Sequence, residues 1–159
     1  MITFENRDCM DAMREFSDGF FDLAIVDPPY RDMADNQPTK DMRSAGTMEK
    51  FGNRPGKEYF DELFRVSKNA VIWGANNFNA PPYKGFIVWD KVIPFDFTMS
   101  MAEIASISEG LGTISKLVRI RASEGGQKIH PTQKPVKLLE YLIGLFTDPD
   151  DVVIDPCAG

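Results

Sequence analysis

The sequence predicts an α/β domain built on a mostly parallel, twisted sheet flanked by helices. Three observations carry that expectation. Short runs rich in Val, Ile and Trp alternate with segments of helical period. Two of those runs stop abruptly at a carboxylate followed by proline. The composition, 43% apolar and 26% charged over 159 residues, is that of one packed domain. The 12 glycines and 11 prolines are dispersed, which excludes collagen-like and low-complexity classes.

Taken in order, apolar residues at Cys9, Met10, Met13 and Phe16 predict a short helix over 8–16, broken by Ser17-Asp18-Gly19. Phe21-Asp22-Leu23-Ala24-Ile25-Val26 reads as a buried strand stopped by Asp27-Pro28-Pro29. Residues 31–55 are polar and aperiodic; a connection that long inside a compact domain is functional or mobile. Tyr59, Phe60, Leu63, Phe64 and Val66 give an amphipathic helix over 57–66. Ala70-Val71-Ile72-Trp73-Gly74 and Gly85-Phe86-Ile87-Val88-Trp89 are further buried strands, followed by strands over 102–107 and 114–120. Pro135 takes the first helical position, where its missing N–H costs nothing, and that helix runs to Phe146. Asp148-Pro149-Asp150-Asp151 then turns the chain into a last strand, Val152-Val153-Ile154.

The net charge of −6 argues against a protein that coats nucleic acid non-specifically. Positive charge is nevertheless segregated. Residues 31–57 carry +2 and residues 116–137 carry +5, leaving −13 elsewhere. Such stretches are solvated faces or a surface for transient contact with a phosphate backbone. The longest apolar stretch, 138–146, contains Glu140 and Gly144 and cannot cross a bilayer. The N-terminus has no signal-peptide pattern, and two cysteines are too few for a disulfide scaffold. A cytoplasmic protein without membrane contact is the expectation.

In open α/β sheets, ligands bind beyond the carboxyl ends of the strands. Asp27-Pro28-Pro29-Tyr30 and Asp155-Pro156-Cys157-Ala158-Gly159 each place a carboxylate at a strand tip, followed by a rigid turn. Two prolines remove two N–H donors, so the carbonyls of the first turn can face a ligand. Tyr30 adds a flat ring able to stack on a base. His130 stands alone, with no triad or metal set around it, and suits a structural hydrogen bond. Trp73, Phe78 and Trp89 suit the core better than a base platform.

Asp27-Pro28-Pro29-Tyr30 resembles the catalytic motif of the amino-group DNA methyltransferases, which methylate adenine N6 or cytosine N4. The other matches stand where a circularly permuted subgroup of that family would have them. Residues 6–13, from Asn6-Arg7-Asp8-Cys9, resemble its "G-D-x-x-x-x-L" segment. Trp73-Gly74-Ala75-Asn76-Asn77-Phe78 resembles the "W-G-x-N-x-F" of phage-type adenine methylases. Trp89-Asp90-Lys91 and Ala102-Glu103-Ile104-Ala105 resemble the segment that follows it. His130-Pro131-Thr132-Gln133-Lys134-Pro135 is close to "H-P-T-Q-K-P", and Val153-Ile154-Asp155-Pro156-Cys157-Ala158-Gly159 to the start of "D-P-F-x-G-S-G-T". Only 31–55 and 107–127 lie outside the likeness.

The resemblance implies a Rossmann-like methyltransferase fold using S-adenosyl-L-methionine on duplex DNA, with the target base flipped out of the stack. It assigns catalysis to Asp27, Pro28, Pro29 and Tyr30: carboxylate and Pro28 carbonyl accept from the amine, and the ring stacks on the base. Cofactor contacts fall to Asp8, Cys9, Asp27, Thr132, Gln133, Lys134, Asp155, Pro156 and Gly159; no metal is implied, and neither cysteine is needed as a nucleophile. Aspartate in the first motif position usually accompanies adenine N6, and serine usually accompanies cytosine N4. Residues 31–55 are expected to order over the base pocket. The family's loop continues past Gly159 into a helix and a ribose-binding acid, so the expected fold is C-terminally incomplete. That implies weak cofactor binding, and self-association or a partner supplying the missing segment. A cytosine-N4 enzyme and a truncated, catalytically inert nucleic-acid-binding module are the competing readings.

Overall fold

The structure is a computed structural model and describes residues 1–30, 54–78, 83–98, 100–124 and 133–158. Helix α1 (Cys9–Arg14) is capped by Asp8, whose carboxylate accepts from the amides of Met10 at 2.8 Å and Asp11 at 3.2 Å. Strand β1 (Phe21–Val26) follows, then helix α2 (Lys57–Val66), which passes into strand β2 (Ser67–Trp73) without a loop. Strands β3 (Gly85–Asp90), β4 (Ala102–Ile107) and β5 (Ser115–Arg119) come next, then helix α3 (Val136–Phe146) and strand β6 (Val153–Ile154). Pro135, the predicted first helical residue, is instead the cap of α3 with φ −60° and ψ 136°, and the helix begins one residue later, at Val136. The predicted helix over 8–16 is shorter, because the amides of Glu15 and Phe16 reach back three residues in a tighter turn.

The six strands form one sheet in the order β5-β3-β4-β2-β1-β6. Five point the same way, and β4 runs against both its neighbours, β2 and β3. The mostly parallel sheet is therefore present, with one reversed strand that no periodicity could announce. Its reversal has a consequence for the site: the start of β4, not its end, lies with the carboxyl ends of the other strands.

Both faces of the central strands are buried, which is why those segments read as unbroken apolar runs. Leu23, Ile25, Val71, Trp73, Ile87, Trp89 and Ile107 pack under Leu138 and Leu142 of α3. On the opposite face Ala24, Val26, Ala70 and Ile72 meet Met13 of α1 and Phe60, Leu63 and Val66 of α2. The Arg65 guanidinium ties the two helices by donating to the carbonyls of Phe16 at 2.9 Å and Met13 at 3.1 Å. Among the described residues, no helix is long and apolar enough to cross a membrane.

Leu142 is fully buried between α3 and the sheet, whereas Leu117 on β5 is 64% exposed. Leu142→Ala is expected to cost about 2–5 kcal/mol in urea denaturation, and Leu117→Ala within about 0.5 kcal/mol of zero.

Candidate active site

Four strand ends and the approach to α3 converge on one group of charges. Asp27 directly follows β1, Trp73 ends β2, Lys91 follows β3, Glu103 lies at the start of β4, and Lys134 precedes α3. The Lys134 ammonium donates to Oδ2 of Asp27 and stands 3.3 Å from Oε2 of Glu103. Its side chain is only 7% exposed, and its charge sits 5.1 Å from the centre of the Trp73 ring. Glu103 is bound from its other side by Lys91, at 2.6 Å. Burial pushes the Glu103 carboxyl up, but Lys134 and Lys91 outweigh it and hold the group below the usual carboxylate range.

The second oxygen of Asp27 is also engaged. The Tyr30 hydroxyl donates to Oδ1 at 2.5 Å, and burial together with the charges of Asp27 and Glu103 pushes that phenol far up. The Tyr30 ring fits a notch that only glycine provides. Gly74 has φ 63°, and a Cβ there would lie 2.3 Å from the Tyr30 ring. Phe78 closes the other side, edge-on at 6.0 Å, and Arg54 donates to the Tyr30 carbonyl at 3.2 Å. A cavity of about 170 Å³ opens beside this aromatic group, lined by Arg54, Lys57, Phe60, Asn77 and Phe78 among others.

The turn after β6 stands next to that of Asp27, because β1 and β6 pair through Leu23↔Val153 and Ala24↔Ile154. Asp155 accepts from the Cys157 amide at 2.9 Å. Although part of its surface stays open to water, the atoms crowded around it and the charge of Asp27 push its carboxyl up to about 6. Cys157 packs 3.1 Å from the Tyr59 hydroxyl, and burial pushes its thiol up to about 12, so it stays a neutral thiol. Cys9, at the start of α1, packs against the same core as Cys157. Adjacent acids with few cationic partners suit a ligand that carries positive charge and hydroxyl donors.

The fold thus brings Asp27, Tyr30 and Lys134 into contact, with Asp155, Pro156 and Cys157 on the neighbouring strand tip. Asp8 spends its carboxylate on capping α1. Lys134 contacts Asp27 and Glu103. Thr132, Gly159 and His130 lie outside the described residues, as do residues 31–53 of the segment 31–55 expected to order over the base pocket. Trp73 and Trp89 are core residues at 0% and 2% exposure. Glu103, Lys91 and Gly74 are the site residues that pattern reading assigned no role. Only the reversed direction of β4 brings Glu103 to this end. Among the described residues no cluster of His, Cys, Asp and Glu could hold a metal.

Residues 72–159, more than half of the chain, match the family described as DNA methylase, and the chain belongs to that family of amino-group (N6/N4) DNA methyltransferases. S-adenosyl-L-methionine is the cofactor of this class. The chain is 26% identical to the type II methyltransferase M2.MboI of Moraxella bovis, over 95% of this chain and 73% of that protein. It is 27% identical to the putative methylase YubD of Escherichia coli, over 100% of this chain and 76% of that one. The fold is shared with the PvuII DNA methyltransferase (cytosine-N4-specific), at TM-score 0.56 and 14% identity over 94% of this chain and 71% of that one. It is shared too with the putative DNA modification methylase TTHA0409 of Thermus thermophilus complexed with S-adenosyl-L-methionine, at TM-score 0.52 and 16% identity over 96% of this chain and 78% of that one.

Two expectations follow from this geometry. Gly74→Ala drives a methyl group into the Tyr30 ring and strains the backbone, so it should destabilise the protein by about 1–3 kcal/mol in urea denaturation. The second concerns Asp155, whose folded-state carboxyl titrates above its ordinary value of 3.8, at about 6. The folded chain then binds the extra proton between those values, so stability from this group is lost as pH rises through that window. Asp155→Asn removes the effect: it should melt higher than the parent at pH 7.5 and level with it near pH 4, by scanning calorimetry. A higher melting temperature at both pH values would sink the assignment.

Proposed function

We propose that the protein methylates N6 of adenine in DNA, acting on a base turned out of the duplex. The observation that supports this most is the turn at the end of β1. Asp27 stands there with the Tyr30 hydroxyl on Oδ1 and the Tyr30 ring held against Gly74; in this reading the carboxylate and the carbonyl of the next residue, Pro28, serve as paired acceptors. An exocyclic amine is a weak nucleophile because its lone pair is delocalised into the ring. Acceptors for both of its N–H groups favour the pyramidal geometry needed for attack, and they act by positioning and electrostatics without a covalent intermediate. The amine is out of reach inside a stacked duplex, so the base must leave it.

S-adenosyl-L-methionine supplies the electrophilic methyl group. The turn of Asp155, Pro156 and Cys157, with Gln133 and the start of α1 at Asp8 and Cys9, would hold it. Lys134 has a different task in this reading. It holds the Asp27 carboxylate in place, since a buried ammonium against Oδ2 fixes the side chain. Oδ1, now bonded to the Tyr30 hydroxyl, is the oxygen available to the amine once that phenol swings onto the base. In this reading the cavity beside Phe78, lined also by Arg54, Lys57 and Phe60, receives part of the displaced nucleotide, with the two cations near its phosphate. Aspartate at the first position of the turn favours adenine over cytosine, the preference the family resemblance attaches to that residue.

Methyl transfer from radiolabelled cofactor to duplexes containing only A·T or only G·C pairs tests the reading directly. Label should appear in N6-methyladenine with A·T duplexes alone; N4-methylcytosine would instead give the cytosine enzyme, and no transfer the inert module. Asp27→Ala should reduce turnover by about 10²–10³-fold, the usual cost of a lost transition-state acceptor. Tyr30→Ala should lose at least about tenfold, whereas Tyr30→Phe, which keeps the ring and frees Oδ1, should stay within about threefold of the parent.

A further inference from the structure

We propose that the hairpin joining β3 and β4 enters the DNA, with Phe95 and Phe97 stacking into the helix and Arg119 and Arg121 holding the adjacent backbone. This rests on the DNA reading above and names the element that makes the contact. The two strands pair to Asp90↔Ala102, and the Lys91 amide extends the ladder by donating to the Met101 carbonyl at 3.0 Å. Residues 92–98 project beyond it. Phe95 is 91% exposed and Phe97 56%, two aromatic rings on one turn that folding leaves in water. Scattered exposed apolar residues need no explanation, but paired rings on a projecting tip mark a binding surface.

The hairpin is anchored. The Phe97 amide donates to the Pro94 carbonyl at 3.1 Å, closing the turn. Asp90 braces its base: Oδ1 accepts from the Val92 amide at 2.8 Å and Oδ2 from Nε of Arg119 at 2.9 Å. Val92 is held at φ 55°, a conformation that a β-branched side chain resists. A braced tip presents its rings without a large ordering cost on binding.

Position and charge select the partner. The hairpin rises from the same end of the sheet as Asp27, and Glu103, two residues past Met101, touches Lys134, which touches Asp27. A partner seated on Tyr30 therefore passes this tip. Exposed Arg119 and Arg121 lie at the matching end of the edge strand, where Arg119 stands opposite Asp90. The tip itself carries Asp96, which phosphates repel, so the hairpin is suited to the bases while the arginines take the backbone. A base that has left its stack opens a gap that an aromatic wedge can fill.

Among the described residues a second exposed apolar surface is the sheet face of Phe86, Ile104 and Leu117, which would suit a second copy of the chain. Fluorescence anisotropy of a labelled duplex carrying one abasic site separates the two. With the 159-residue protein, the Phe95→Ala/Phe97→Ala variant should bind at least about tenfold more weakly with an unchanged salt slope. Arg121→Gln, which leaves the Arg119–Asp90 brace intact, should weaken binding and lower the slope of log affinity against log salt by about one. All three substituted side chains are solvent-exposed, and unchanged melting temperatures will confirm intact folds. Parent-like binding by the phenylalanine variant overturns the hairpin's role while leaving the DNA reading standing. No binding by the parent overturns both. A parent dimer in sedimentation that the phenylalanine changes render monomeric, with DNA affinity intact, assigns the rings to self-association and also overturns it.

Discussion

An ammonium group nearly out of water is tolerable only among anions, and Lys134 organises this end of the molecule for that reason. Its two carboxylates come from different places: Asp27 from the end of β1 and Glu103 from the beginning of β4. The Trp73 ring supplies a third favourable surface. Because Lys134 itself precedes α3, one buried charge ties a helix to two strands that are not neighbours in the sheet. Breaking such a pair by deleting one partner costs about 3–5 kcal/mol, mostly for the charge left behind. Lys91 steadies the far side of Glu103, so the arrangement alternates in sign from Lys91 to Asp27.

The same carboxylate carries the proposed chemistry, which sets a constraint on it. Asp27 has Lys134 on one oxygen and Tyr30 on the other, so it is fully occupied with the site as it stands. Each oxygen can accept more than one hydrogen bond, and the phenol is the partner that can leave. Its ring rests in the notch over Gly74, held by contact with Phe78 and a single hydroxyl bond. A base offering both an N–H to Asp27 and a flat face to the ring compensates for that bond. Lys134, with Glu103 behind it, stays in place. The acidic turn at Asp155, one strand over, keeps the neighbouring space negative and suited to a cationic ligand.

Much of this was legible in the chain. The strands and helices follow from apolar runs and from the 3.6-residue period of 57–66. Their ends fall within a few residues of the expected places, since caps and prolines mark them locally. The acids at the tips of β1 and β6 were visible because each is followed by proline after a buried run. What was not visible is instructive. Gly74, Lys91 and Glu103 fall inside segments that resemble the family, but nothing in a string of residues shows that Glu103 meets Lys134 and Lys91 or that Gly74 meets the Tyr30 ring.

Local preference and short motifs settled which segments form strands and helices, and where carboxylates meet rigid turns, because those features depend on neighbours a few residues apart. The reversed direction of β4 depends on which strands lie beside it, a matter of long-range packing. With that reversal come the partnership of Glu103 with Lys134 and the rise of the Phe95–Phe97 hairpin from the site end of the sheet. The notch at Gly74 likewise exists only against Tyr30, a residue far back in the chain. Buried charge and close contact are properties of three-dimensional neighbours, and only the folded chain decides them.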